Sequence, residues 1–132
     1  MFAFKPTLLV FAALLMLAAP GAVTRAEESP TPAAPYQSEL ERLAEILGAL
    51  HHLRSICGAN EGQTWRNEMQ ALIEAETPSG ERRNRLVASF NRGYRGFQQS
   101  YRTCTRAADL AIRRYLDEGA RIARDITARY AN

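Results

Sequence analysis

An all-α domain of three or four bundled helices, stapled by one disulfide, is the fold that three features of this 132-residue chain predict. From Leu86 to Tyr130 a stripe returns every three or four positions, through Phe90, Tyr94, Phe97, Tyr101, Cys104, Ala108, Ile112, Tyr115, Gly119, Ile122 and Ile126. That is the period of a helix face, whereas a half-buried strand alternates every two residues. A second stripe of the same spacing runs through Leu40, Leu43, Leu47, Leu50, Leu53 and Cys57. The third feature is the cysteine count. Cys57 and Cys104 are the only two, in a chain whose start reads as an export signal, so a single bridge with a single possible pairing is expected.

The amino terminus has Lys5, an apolar run from Leu8 to Ala19, then Pro20, Gly21 and a small-residue site with Thr24 at −3 and Ala26 at −1. This is the layout of a cleavable secretory signal over residues 1–26. An uncleaved anchor is the competing reading, against which the run falls short of the roughly 20 residues a bilayer span needs. No cysteine lies near Ala26, which excludes a lipid-modified amino-terminal cysteine. Residues 27–35, EESPTPAAP, form a proline-rich flexible leader. Residues 36–132 are then a single helical domain, large enough for one modest core.

Charge narrows the function classes. Cleavage removes Lys5 and Arg25 and takes the formal net charge from +3 to +1. Nucleic-acid binding loses its electrostatic basis in this way, and the exported compartment argues against it as well. The remaining charge is split: residues 27–79 carry nine acidic groups against three arginines, residues 80–132 twelve arginines against five acidic groups. The two halves are expected to attract each other within one bundle. The rival reading leaves a basic face for an anionic partner.

The elements follow in order. The first helix runs from about Tyr36 to Cys57, with Glu39, Glu41 and Glu45 toward its start and Arg54 toward its end, as the helix dipole favours. Gly58 stops it. Asn60 is the expected cap of the second helix, with Gln63 completing a capping box, and Trp65, Met69, Leu72 and Ile73 form its apolar face. Thr77 is expected to cap the third helix with Pro78 at its first position, Ser79 being the alternative cap. A single helix from Pro78 to Tyr130 would be about 80 Å long. A break is therefore expected within Ser100–Thr105, where Thr103 and Thr105 can cap a new start. In an up-down-up-down arrangement that break falls at the same end as Cys57, which makes bridge and break mutually consistent. The bridge closes a loop worth about 4 kcal/mol of chain entropy. The last helix keeps Ala108, Ile112, Tyr115, Leu116, Ile122 and Ile126 inward, and Gly119 on that face marks a close helix approach.

Motifs that carry chemistry are sparse. His51 and His52 are adjacent, so on a helix they point about 100° apart and cannot share a metal as HxxxH does. No convergent ligand set, G-x-S-x-G, CxxC, H-E-x-x-H or phosphate-cradling loop occurs. Glu45 and His52 form only a chance-level acid–base pair. The unusual stretch is Phe90-Asn91-Arg92-Gly93-Tyr94-Arg95-Gly96-Phe97. Each glycine in a helix interior costs about 1 kcal/mol relative to alanine, so Gly93 and Gly96 imply a close neighbour. They belong to a small-residue stripe with Ser89, Ser100, Thr103, Ala107 and Ala111. Three accounts fit it: packing against the first or second helix, a self-association seam, or a shallow groove flanked by Arg92, Arg95 and Tyr94.

Four runs cover nearly all of the chain after Tyr36: LAEILGALHHLRSICGANEGQTWRNEM at 43–69, RLVASFNRGYRGF at 85–97, YRTCTRAAD at 101–109 and YLDEGARIARDITARY at 115–130. In these runs the chain resembles a functionally uncharacterised family of small exported, two-cysteine helical proteins of alphaproteobacteria, mostly rhizobia and their relatives. The resemblance implies an envelope location and paired cysteines. It implies no activity, cofactor or catalytic residue.

The functional expectation is thus a non-catalytic periplasmic binding or structural protein with no cofactor and no metal, contacting an envelope protein or an anionic envelope component. Its candidate partner-binding residues are Arg92, Arg95, Gly93, Gly96, Tyr94, His51 and His52. Two alternatives come from other classes. A small envelope hydrolase or metal-dependent enzyme would show a cleft joining His52 to a carboxylate. A self-associating subunit, down to a homodimer, would leave the small-residue stripe bare. No membrane span is expected once the signal is removed.

Overall fold

The computed structural model describes residues 34–131 apart from 59 and 79. The expected signal, the leader up to residue 33 and the alternative cap Ser79 lie outside the described residues. Four helices follow one another: α1 Gln37–Ile56, α2 Thr64–Glu76, α3 Gly80–Ser100 and α4 Arg106–Tyr130. The four-helix bundle with one disulfide is the expected architecture, and the break between α3 and α4 falls where the length argument placed it.

α1 is the axis of the bundle. Leu40, Ala44, Leu47, Leu50 and Leu53 are buried along one side, and Ile46 and Ala49 on others. A helix apolar on nearly every side has to be surrounded, and α2, α3 and α4 all pack on it. Arg82, Arg85 and Arg92 of α3 reach Gln37, Glu41 and Glu45 of α1 in matching order, at 2.9, 3.1 and 3.3 Å. α3 therefore runs parallel to α1. α4 runs the other way, since Arg42 bonds Glu118 at 2.8 Å and the Tyr36 ring lies 4.7 Å from that of Tyr130.

Two glycines let α1 and α3 come into backbone contact. A Cβ on Gly48 would overlap the Phe90 carbonyl and lie 2.9 Å from the Tyr94 nitrogen. A Cβ on Gly93 would overlap the Glu45 carbonyl and lie 3.1 Å from the Ala49 nitrogen. Ser89, 2 % exposed, completes this crossing. On the other side α4 lies against α1 through Gly119, whose absent Cβ would sit 3.4 Å from Ile46 Cγ2. The core splits accordingly. One cluster gathers Leu40, Leu47, Met69, Ile73, Leu86 and Phe90, the other Ile46, Leu50, Leu53, Ala108 and Ile112.

Part of the opposite charge of the two halves is paired inside the bundle, where three arginines of α3 meet acidic groups of the first half. Besides the α3 ladder, Glu76 lies 3.7 Å from Arg82. Being partly exposed, each such pair contributes under about 1 kcal/mol. Their value here is in setting the register of α3 on α1.

Three local expectations are corrected. The N-cap of α2 is Gln63 rather than Asn60, and it makes no side-chain cap bond. Gly62 at φ 43° and the Thr64 nitrogen bonded to the Glu61 carbonyl at 2.7 Å form a turn that delays the helix. Thr77 closes α2 instead of opening α3: it takes the left-handed conformation at φ 37° and its nitrogen bonds the Ile73 carbonyl. Pro78 accordingly stands in the link, and α3 begins at Gly80. Leu116, expected inward, is 38 % exposed. Trp65, Tyr94, Phe97 and Tyr101 are half-buried at the edges of the clusters, whereas Phe90 is buried.

Candidate functional site

The expected partner-binding residues are divided by the fold between scaffold and surface. Gly93 is taken up by the helix crossing. Arg92 bonds Glu45 and, at 3.2 Å, Ser89, although its side chain is 61 % exposed. Arg95 and Gly96 face outward, and nothing lies within 4 Å of the Cβ position at Gly96. The Tyr94 ring packs 5.4 Å from His51 and edge-on to His52 at 5.9 Å, with its hydroxyl 3.4 Å from Gln98 Nε2.

The two histidines, adjacent in sequence, do different things. His52 is buried, and its Nε2 donates to the Tyr101 carbonyl at 2.6 Å, which fixes the proton on that nitrogen. His51 faces α2, where its Nε2 accepts from Arg66 Nε at 2.9 Å. Partial burial, then the charges of Arg66 and His52, hold the His51 imidazole below its ordinary pKa. Glu45 is engaged by Arg42 at 3.6 Å and by Arg92. His52 and Glu45 are thus each committed to a different partner. Among the described residues no three His, Cys, Asp or Glu side chains converge on a metal position.

The His52 bond and the disulfide act on the same segment. Cys57 caps the end of α1 and joins Cys104 with a Cα–Cα distance of 4.7 Å. Between them the two contacts tie the Tyr101–Thr105 link to the last turns of α1. Thr105 then starts α4, its Oγ1 accepting from the Ala108 nitrogen at 3.1 Å. The first turn of α2 is held at this end too: Glu61 pairs with Arg54 and accepts from the Trp65 indole at 2.7 Å. Those hydrogen bonds lower the Glu61 carboxyl below its usual range.

A concave feature roomier than the pocket beside His51 lies elsewhere, and the sequence pattern does not announce it. α2 and α4 each pack on α1, but their backbones do not approach each other. Between them runs an apolar trough of about 490 Å³. α1 supplies its floor with Leu43, Ile46, Leu47 and Leu50; α2 supplies one wall and α4 the other. The α4 wall is Leu116, Ala120 and Ala123, the α2 wall Trp65, Glu68, Leu72 and Ala75. A trace of it is present in α4. Its buried face, Ala108, Ile112, Tyr115, Gly119, Ile122 and Ile126, follows 4-3-4-3-4 spacing, and one residue later Leu116, Ala120, Ala123 and Thr127 follow 4-3-4. Such spacing is that of a seam between packed helices. Two seams about 100° apart mark a helix with two neighbours, of which the described helices supply one.

A model of the protein family of unknown function DUF2385 matches residues 35–130. The chain belongs to that family. No curated protein and no solved structure matches it. As a member of DUF2385 it is an all-helical protein in which the two cysteines are joined, and no described helix is long and apolar enough to cross a membrane.

Proposed function

We propose that this DUF2385 protein is a non-catalytic, exported binding protein of the cell envelope that receives an amphipathic helix of a protein partner in the α2–α4 trough. One observation carries this reading: both walls of the trough are spaced as helix seams. On α2, Trp65, Glu68, Leu72 and Ala75 are three, four and three apart, matching the 4-3-4 run on α4. A helix laid between them can insert side chains into both walls, the helix-in-groove mode of recognition. Ala75, Ala120 and Ala123 keep the walls low enough for a helix to approach the α1 floor. Charge selects the occupant further. The α2 side carries Glu68 and Glu74, whereas on the outer side of α4 Arg124 stands near Asp117, and Arg113 is held by Asp109 at 2.8 Å, so the partner helix is basic on the flank that meets α2. The paired cysteines support export, because such bridges persist in oxidising compartments.

Trp65 is the only tryptophan and lines the trough, which makes the test direct. Helical peptides presenting Leu and Ala at 4-3-4 spacing, with the charge pattern above, are titrated while indole emission is followed. A saturable blue shift, absent for scrambled peptides and abolished by Ala75→Arg, is the expected result. Emission that ignores every peptide of the panel, in protein shown to be monomeric, overturns the reading. Export is tested separately by fractionation of cells, with the protein expected in the periplasmic fraction with both thiols blocked.

A further inference from the structure

Resting on the trough as a helix-binding site, we infer that its occupant is α4 of a second copy of this chain, in a symmetric homodimer whose two-fold axis runs along α4. The helix the trough requires is one the protein already displays. Beyond the face that packs on α1, α4 presents Leu116, Ala120, Ala123 and Thr127 outward. Thr127 is part of this apolar edge because its hydroxyl is satisfied internally, donating to the Ala123 carbonyl at 2.8 Å and leaving the methyl exposed. The edge continues past the trough onto a shallow apolar patch at Ala123, Thr127 and Ala128.

Symmetry then supplies the rest. A two-fold axis parallel to α4 sets the two α4 helices side by side and parallel, seam against seam, with equal residues at equal heights. Each α4 lies in the trough of the other copy, and the contact is isologous and closes on itself. The flank of α4 beyond the seam carries Arg121 and Arg124 beside Asp117, basic on balance, and in this arrangement it faces the α2 wall of the other copy, which carries Glu68 and Glu74. That is the basic flank the trough selects. The α2 helix is acidic on balance and α4 basic on balance, so two copies complement each other where α2 meets α4. The seam on α4 spans Leu116 to Thr127 and the α2 wall Trp65 to Ala75, nearly equal in length, so the occupant covers the wall from end to end.

The decisive measurement is the mass of the oxidised protein by sedimentation equilibrium at micromolar concentration, for the wild type, for Ala120→Arg and for Ala120→Cys. Ala120 is exposed, so its replacement does not enter the core, and circular dichroism checks that the variants remain helical. The wild type is expected at twice the chain mass, Ala120→Arg at the chain mass, and Ala120→Cys as a covalent dimer after mild oxidation. A monomeric wild type overturns the inference, as does an Ala120→Arg variant that stays dimeric. If the wild type is monomeric and the peptides still shift Trp65 emission, the trough binds another protein's helix and only the second copy is excluded. If it is monomeric and no peptide shifts the emission, the helix-binding reading falls as well.

Discussion

α1 is flanked by two contacts of opposite character. On the α3 side Gly48 and Gly93 leave no side chain at the two points of closest approach, the backbones touch, and three arginines fasten the edge in register. On the α2–α4 side the apolar residues extend past what α1 can cover and end in an open trough. Both sides use small residues. Where a small residue sits under an opposing backbone it closes an interface, and where it stands on a wall with nothing opposite it leaves room for something else. Composition alone does not separate these uses.

The largest expected effect in breaking this contrast comes from the tie at the end of α1. Replacing Cys57 and Cys104 together by Ala removes a cross-link worth about 4 kcal/mol, measurable as a fall in the denaturant midpoint. Unchanged stability would mean that the His52–Tyr101 bond and the core hold the link unaided. Next comes the closed side. Gly48→Ala or Gly93→Ala drives a methyl into an opposing carbonyl, and a loss of about 3 kcal/mol is expected, with Leu86→Ala in the adjoining core costing a similar amount. On the open side the same experiment gives little. Leu116→Ala is expected to cost about 1 kcal/mol or less in the monomer, because a large part of Leu116 is already in water. Gly96→Ala should reverse the sign, adding up to about 1 kcal/mol through helix propensity, since nothing opposes its Cβ.

The smallest effect is a pH dependence that locates α2. His51 has its pKa lowered in the folded protein, chiefly by burial and then by Arg66. The folded state therefore binds its proton less readily than the unfolded chain, whose value is about 6.5. The resulting stability is fully present above that value and is lost as the pH falls from there through the lower folded pKa. Thermal unfolding of wild type and His51→Gln should converge as the pH drops from 7 to 5. Parallel curves would show that His51 does not hold α2 by its neutral form.

Much of this fold is legible in the residues. The three-and-four spacing marks the helices, and the first helix is found to within a residue at each end. Thr105 caps α4 because a hydroxyl at that place can reach the backbone nitrogen three residues on, a local geometry that spacing reveals. The α1–α2 turn was misread because Asn60 has the chemistry of a cap, while Gly62 and the Glu61 contacts with Arg54 and Trp65 decide where the helix starts. Thr77 was misread for a similar reason: a threonine before proline suggests an opening, and only the path of the chain shows it ending α2 in a left-handed conformation. The candidate site was half legible. Gly93 does have a close neighbour, as its cost in a helix implies, and that neighbour is α1. The trough needs two helices distant in sequence to stand apart over a third, which no local pattern records.

By itself the sequence determined that the chain is helical, where its helices lie within a few residues, and which two sulfurs are joined. These depend on periodicity, local backbone chemistry and a count, all of which act within a few turns of chain. The tertiary structure alone decided that Gly93 serves the interior while Gly96 faces water, that His52 holds a linker while His51 faces α2, and that none of the other described helices covers the second seam of α4. Those outcomes depend on which backbone comes to lie opposite each residue, and that is set by how four helices share one central helix.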